Sequence, residues 1–361
     1  MQAYNVEVFD RAFNCIFHDE IDSLDFEYKE DYISYSNNKI KVSAGDVYEG
    51  NLISIHRPDE EFFGIVKSID KTDEVLMEIS YAPFYSLFDF DVLFDTNLQG
   101  GNQSLEMTLK AFIEAYFVNN SDQNQNYPLI GDIRILSNTP TWGFNIKSDA
   151  QGQHMAIIGL YSTLFVRAFN KYGIAVRCIP DFTNEQVDIE IGFSQESVVT
   201  IETGLGNVLD CNIRLGKVNE SVNKLVVYNQ ADYSQSRTYY LHTDGTYDTT
   251  DSDRVMPVLY DLKGVDVQQD QTFIDVANSS ASEVFGSIKY NNIISITTLM
   301  DDKRIMPTRL KLGQKVRVIH EGTAYDSIYS GRAIKGTIQL TFGSVRVELT
   351  KILKGGYFNG R

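Results

Sequence analysis

No apolar stretch in this 361-residue chain approaches the ~20 residues that a membrane-crossing helix needs. The first residues, MQAYNVEVFD, lack the basic start and apolar core of a secretory signal and open directly on a strand-like pattern. Neither stable membrane insertion nor a secretory leader is expected. Cysteine is scarce as well. Cys15, Cys178 and Cys211 are odd in number, widely spaced and free of any CxxC pair, which excludes a disulfide framework and a zinc knuckle. Three small core residues, in a protein folded in a reducing cytoplasm, is the plain expectation. The lone Trp142, in NTPTWGFNI, reads as a core anchor more readily than as a platform for a sugar.

Catalytic signatures are also missing. The five histidines, His18, His56, His154, His242 and His320, are scattered, with no HExxH and no HxH. There is no GxSxG elbow and no GxxxxGK[ST] phosphate loop. The fragment 204-GLGNVLD-210 lacks the third glycine of a dinucleotide fingerprint and reads as a turn. In 88-FDFDVLFD-95, Asp89, Asp91 and Asp95 alternate with aromatics, which could bring two carboxylates together for acid/base work. A wet acidic face over a buried Phe face accounts for them without chemistry. In 244-DGTYDTTDSD-253, Asp244, Asp248, Asp251 and Asp253 offer oxygen ligands, but the spacing is not that of an EF-hand and no Glu closes it. A solvated connection suffices. The sequence therefore points away from an enzyme, and no cofactor or metal is expected.

What the chain has in excess is acid. Forty-nine Asp and Glu stand against 32 Lys and Arg, a net charge of −17. Tight binding to a nucleic-acid backbone, which depends on cationic contacts, is not expected. The charge is also unevenly spread. Residues 1–100 hold 21 acids and 7 bases, whereas residues 301–361 hold 5 acids and 12 bases. Either the two ends attract each other, or each is a solvated face. If they attract, the acidic residues to watch are Asp19, Glu20, Asp22 and Asp25; the basic ones are Arg309, Lys311, Lys315 and Arg317.

A chain this long should form more than one domain. Its first 80 residues read as seven short strands, Val6–Phe9, Asn14–His18, Leu24–Tyr28, Lys39–Val42, Leu52–His56, Phe62–Ile69 and Val75–Ser80, at the spacing of a small barrel or sandwich. After Gly100 and Gly101 the period changes. Leu105, Leu109, Phe112, Ile113, Tyr116 and Phe117 predict a helix, and a second is expected after His154 with Ile157, Leu160, Tyr161, Leu164, Phe165 and Ala168 on one face, ended by Gly173. Strands at Ile133–Leu136, Ile174–Cys178 and Val187–Ile191 make this an α/β unit. Strands return from 198, with 223-NKLVVYNQ-230 and 237-RTYYLHT-243 as a hairpin, and a third helix spans Thr272–Phe285 with Thr272 as its cap. Strand is expected again at 293-IISITTL-299 and in everything from Lys311 to Leu353. The divisions are 1–97 for a first β-barrel, 98–197 for the α/β unit, 198–290 for a strand-rich middle with one helix, and 291–361 for a second β-barrel.

The two ends carry similar hairpins. YEGNLISIHRPDEEFFGIVKSID (Tyr48–Asp70) and KLGQKVRVIHEGTAYDSIYSGRAIKG (Lys311–Gly336) each have a Gly, a strand closing on a His, a polar turn and a return past another Gly. Aligned on His56 with His320 and Gly64 with Gly331, the second copy has three extra residues. The likeness is weak, and chance similarity of two hairpins is the rival explanation.

Several stretches carry a family resemblance. VEVFDRAFNCIFHDEIDSLDFEYKE, FFGIVKSID, ISYAPFYSLFDFDVLFD, KLVVYNQADYSQSRTYYLHTDGTY and, most closely, LKLGQKVRVIHEGTAYDSIYSGRAIKGTIQLTFGSVRVELTKILKG resemble the baseplate hub proteins of siphophage and prophage tail tips. The resemblance implies a structural protein of the virion tail tip, folded and assembled in the bacterial host cytoplasm. It implies a homotrimer in which each subunit supplies two barrels to a ring of six. Such a ring adapts the hexameric tail tube to a three-fold tip and lines or closes the DNA channel. The implied partners are the chain itself, the distal tail protein and other tail-tip proteins. Relatives with C-terminal extensions carry wall hydrolases there; this sequence ends at Gly355–Arg361, so that lytic activity is not expected. A host-surface adhesin or carbohydrate-binding tail protein is the alternative.

Overall fold

The computed structural model describes residues 3–23, 26–58, 60–71, 74–93, 104–138, 157–194, 196–215, 223–242, 247–251, 260–267, 272–285 and 292–343. Its strands are β1 (Tyr4–Phe9), β2 (Cys15–Ile21), β3 (Glu27–Asp31), β4 (Asn38–Ser43), β5 (Leu52–Arg57), β6 (Glu60–Lys71), β7 (Leu76–Pro83), β8 (Asp91–Leu93), β9 (Ile130–Ile135), β10 (Ile157–Gly159) and β11 (Ala175–Asp181). They continue as β12 (Gln186–Gly192), β13 (Val199–Glu202), β14 (Val208–Leu215), β15 (Lys224–Asn229), β16 (Ser236–Leu241), β17 (Tyr247–Asp248), β18 (Tyr260–Val265), β19 (Asn292–Thr298), β20 (Lys315–His320), β21 (Thr323–Lys335) and β22 (Thr337–Phe342). The helices are α1 (Leu105–Ile113), α2 (Val166–Tyr172) and α3 (Phe273–Phe285). The fold is mainly β with an α/β insertion, and two sheets curl into half-barrels.

The first half-barrel has the order β2-β1-β5-β6-β7-β4. Period-2 alternation sends Tyr4, Val6 and Val8 of β1, Ile40 and Val42 of β4, and Met77, Ile79 and Tyr81 of β7 into the core. Seven strands form, but the third is displaced from the expected Leu24–Tyr28 to Glu27–Asp31, and it leaves the sheet. β3 pairs antiparallel with β21 of the other half-barrel, from Gly331 opposite Asp31 to Lys335 opposite Glu27.

The second half-barrel runs β13-β20-β21-β22-β19-β14, so residues 199–202 and 208–215 join the C-terminal hairpins. Within it the first half-barrel recurs. The unit β4 to β7 has the order β5-β6-β7-β4, and β19 to β22 has the order β20-β21-β22-β19, so in both the earliest strand pairs with the last. The hydrogen bonds repeat at one offset. Gly50 donates its N–H to Val66 O and Val66 donates to Asn51 O; Gly313 donates to Tyr329 O and Tyr329 to Gln314 O. Both glycines are left-handed, at φ 82° and 80°. An amide side chain braces each turn, Asn51 Oδ1 accepting from Tyr48 N–H and Gln314 Oε1 from Lys311 N–H. Register shifts fall at Val66/Ser68 and Tyr329/Gly331, again equivalent.

That offset corrects the alignment read from sequence. His320 corresponds to Arg57, each opening its turn opposite Thr323 and Glu60, while His56 corresponds to Ile319. Gly331 corresponds to Ser68, not Gly64. The hairpins are equal in length, and the three extra residues vanish.

In the α/β insertion α1 is capped by Ser104, whose Oγ accepts from Met107 N–H at 3.2 Å. A π-helical turn, Glu114–Val118, prolongs it. The sheet order is β11-β12-β9, with β12 and β9 parallel. The second helix is shorter than expected: Ile157 lies in β10, which pairs with β8, and a π-helical turn at Leu160–Phe165 leads into α2. Gly173, at φ 74°, ends α2. The middle sheet, β17-β16-β15-β18, contains the expected hairpin and buries Leu225, Val227, Tyr239 and Leu241 under α3. Thr272 caps α3, its Oγ1 accepting from Asp275 N–H. One apolar cluster runs through both half-barrels and the α/β insertion, and a separate one lies beneath α3.

Candidate assembly interface

The sharpest polar geometry joins the half-barrels to each other and to the α/β insertion. Beyond β3, the fully buried Tyr32 reaches three segments. Its N–H donates to Ser330 O (3.0 Å), its hydroxyl accepts from Val176 N–H (2.9 Å), and its carbonyl accepts from the Tyr161 hydroxyl. Its ring packs among Tyr85, Tyr161 and Phe169. Nearby, Arg332 of β21 pairs with Glu30 of β3 (3.2 Å) and lies 4.5 Å from the centre of the Phe62 ring in β6. Burial pushes the Glu30 carboxyl up, against the pull of the Arg332 guanidinium. Lys335 pairs with Glu27 at the solvent end of the same strand pair (2.8 Å). Arg177 of β11 donates to Leu312 O (2.9 Å), and its Nε lies 3.5 Å from Glu190.

Acid from the N-terminal hundred residues does therefore meet base from the C-terminal sixty. The residues that meet are Glu27, Glu30, Arg332 and Lys335. The signal was present as EYKE and GRAIK, but their register could not be read before β3 was known to cross over.

Of the eight residues named from charge, the seven that are described lie elsewhere. Asp19 and Glu20 sit on β2, an outer strand of the first half-barrel, and Asp22 follows it. Burial opposes ionisation of Asp19, but the Ser43 N–H and hydroxyl, donating to Oδ2, hold its carboxyl below the usual range. Asp25 lies outside the described residues. Lys315 and Arg317 point the same way from β20. Arg317 is gripped by Asp326 through two bonds (2.7 and 3.0 Å), Lys311 by Glu196 (2.8 Å), and the Lys315 ammonium lies 5.8 Å from the centre of the Phe193 ring. Arg309 ends a short 3-10 turn, Pro307–Arg309. Asp19 and Glu20 make no ion pair with Lys311, Lys315 or Arg317.

Among the described residues no group of three or more His, Cys, Asp or Glu is placed to hold a metal. Asp89 accepts from the Tyr35 hydroxyl (2.7 Å), and Asp91 belongs to β8; Asp95, Asp244, Asp253, His154 and Trp142 lie outside the described residues. Asp248 faces His242 Nε2 at 3.0 Å, His56 lies 3.3 Å from Glu7, and Thr203 lies 2.8 Å from His320 Nδ1. The 204-GLG-206 fragment is a turn, with Gly206 at φ 75°. Cys15 is exposed on β2, contrary to its expected place in the core; Cys178 and Cys211 are partly buried, and burial pushes both thiols up. Among the described residues no helix is long and apolar enough to cross a membrane.

No protein-family description and no curated protein matches the sequence. Solved structures do match in fold. The prophage MuSo2 43 kDa tail protein from Shewanella oneidensis is 12% identical with a TM-score of 0.54, over 96% of this chain and 98% of that one. A chain of the phage P2 virion baseplate in its activated conformation is 12% identical with a TM-score of 0.50, over 96% of this chain and 100% of its own. A second P2 baseplate structure, activated with Ca, gives the same values. The chain has the fold of phage tail and baseplate proteins.

Proposed function

We propose that this protein is a structural hub of a phage tail tip or baseplate. Three copies close into a ring of six half-barrels, which joins the six-fold tail tube to a three-fold tip and lines the path of the DNA. The observation that carries this reading is the duplication. One chain holds two copies of a four-strand unit with the same connectivity, turn and bulge, linked by a strand that passes from one to the other. Three such chains present six near-equivalent units. Full-length likeness to tail and baseplate proteins supports the same role.

The contacts that close the ring are heterologous, since each half-barrel meets one of the other kind. Acidic Asp19 and Glu20 on β2 and basic Lys315 on β20 favour that alternation over like-with-like pairing. The distal tail protein and other tip proteins are the neighbours above and below, and the virion tail tip is the site of action. Mass in solution across a concentration series, with images of assembled tails, tests the reading. A trimer with a central channel is expected; a symmetric dimer or tetramer in the virion would rule it out.

A further inference from the structure

Strand β21 is partnered along the whole of one edge. β20 covers Thr323–Ile328, and β3 carries on over Gly331–Lys335, while β22 takes the opposite edge. β6 is the counterpart of β21. β5 covers its Glu60–Ile65 half and β7 takes the opposite edge, but no described strand covers Lys67–Lys71 on the β5 side. Beyond the bulge of β21 the Ser330 carbonyl turns outward and accepts from Tyr32 N–H. By the common offset the corresponding residue in β6 is Lys67, and alternation turns Ile69 and Lys71 the same way. Ser68, Asp70 and Lys71 are exposed, and Lys67 and Ile69 half-buried.

We propose that the Lys67–Lys71 edge of β6 takes a strand from a second copy of this chain, as the same edge of β21 takes β3. This rests on the ring proposed above and names one of its contacts. Within a chain the first half-barrel feeds a strand to the second. In a ring of alternating half-barrels, one step further round sets the second half-barrel of the next copy against the first of this one. The edge left open is the one that this step fills. A row of unpaired N–H and C=O groups is a template for such addition. Lys67 and Lys71 deter indiscriminate pairing without removing a donor.

Backbone amide exchange on the full-length protein, followed residue by residue at concentrations above and below self-association, tests the contact. In the assembled protein the Ile69 and Lys71 amides slow by on the order of tenfold or more relative to the dissociated chain. Ile69→Pro removes a donor that faces away from β7 but also trims a side chain packed against the core, so Ile69→Ala, which makes a similar cut in packing and keeps the amide, is its control. Association requires on the order of tenfold more protein for Ile69→Pro than for Ile69→Ala. Assembly to a trimer with both amides exchanging at the dissociated rate overturns the edge contact and leaves the ring standing. Protection already complete in the dissociated chain also overturns it, since the edge is then covered from within. A chain that stays monomeric at every concentration overturns both the contact and the ring.

Discussion

Tyr32 places each of its polar groups on a different segment, and that makes it the most informative single residue. Tyr32→Phe keeps the ring but strips Val176 N–H of its acceptor in a buried place, a loss of about 1–3 kcal/mol of stability. Tyr32→Ala also empties the space among Tyr85, Tyr161 and Phe169, for about 3–5 kcal/mol. Denaturant unfolding of the two variants should rank them in that order; equal losses would mean that the ring's packing adds nothing beyond the hydroxyl, and no loss in Tyr32→Phe that the hydroxyl contributes nothing. Glu30 gives a pH signature. Its carboxyl holds its proton to higher pH when folded than in the unfolded chain, where the usual value is about 4.3. Between those two values the folded state binds more protons, so this residue's contribution to stability falls as pH rises. Glu30→Gln cannot ionise. The stability of the original protein minus that of Glu30→Gln should therefore fall as pH rises from 4 through the folded carboxyl's titration, and a difference that grows would refute the assignment.

At the scale of elements, the crossing of β3 depends on a close backbone approach. A Cβ on Gly331 would stand 2.3 Å from Glu30 O, a backbone atom that cannot swing aside. Gly331→Ala should therefore cost about 1–3 kcal/mol and loosen β3, whereas Gly204, with nothing within 4 Å, should accept Ala with little change. Comparable thermal shifts in the two variants would count against the crossing. The strands themselves were legible because alternation and turn residues are local: six of the seven at the N-terminus and both hairpins near the C-terminus lie close to where the pattern set them, and the third is displaced by three residues. Partnership was not legible. Nothing within EYKED says that its hydrogen bonds go to GRAIK about 300 residues later, because a strand's edge looks alike whichever neighbour fills it. Register was illegible for a related reason. Matching His56 to His320 looked natural, yet it is wrong by one residue, and a one-residue slip turns every side chain to the other face. Ile157 misled differently: an apolar residue next to a helix fits a short buried strand equally well.

For the molecule as a whole, the charge split left open both attraction between the ends and two solvated faces, and it did not single out the residues that meet within the chain. Glu27, Glu30, Arg332 and Lys335 already use part of it inside one chain. In the proposed ring, what remains for a second copy is set by which exposed charges are still uncompensated. Arg317 is not a strong candidate, because two bonds from Asp326 occupy its guanidinium. Lys311 is likewise held by Glu196. Lys315 is exposed on β20, with its ammonium over the Phe193 ring and no carboxylate in reach among the described ion pairs. If basic residues steer the closing of the ring, reversing Lys315 should weaken trimer formation more than reversing Arg317, although both change the net charge equally. Each effect should be modest, since exposed charges act through water, and both should fade as salt rises past physiological strength. Sedimentation of Lys315→Glu and Arg317→Glu across a salt series separates the cases. Equal weakening at every salt concentration would mean that only the total of −17 matters, and no difference from the original protein at low salt would make this edge a solvated face.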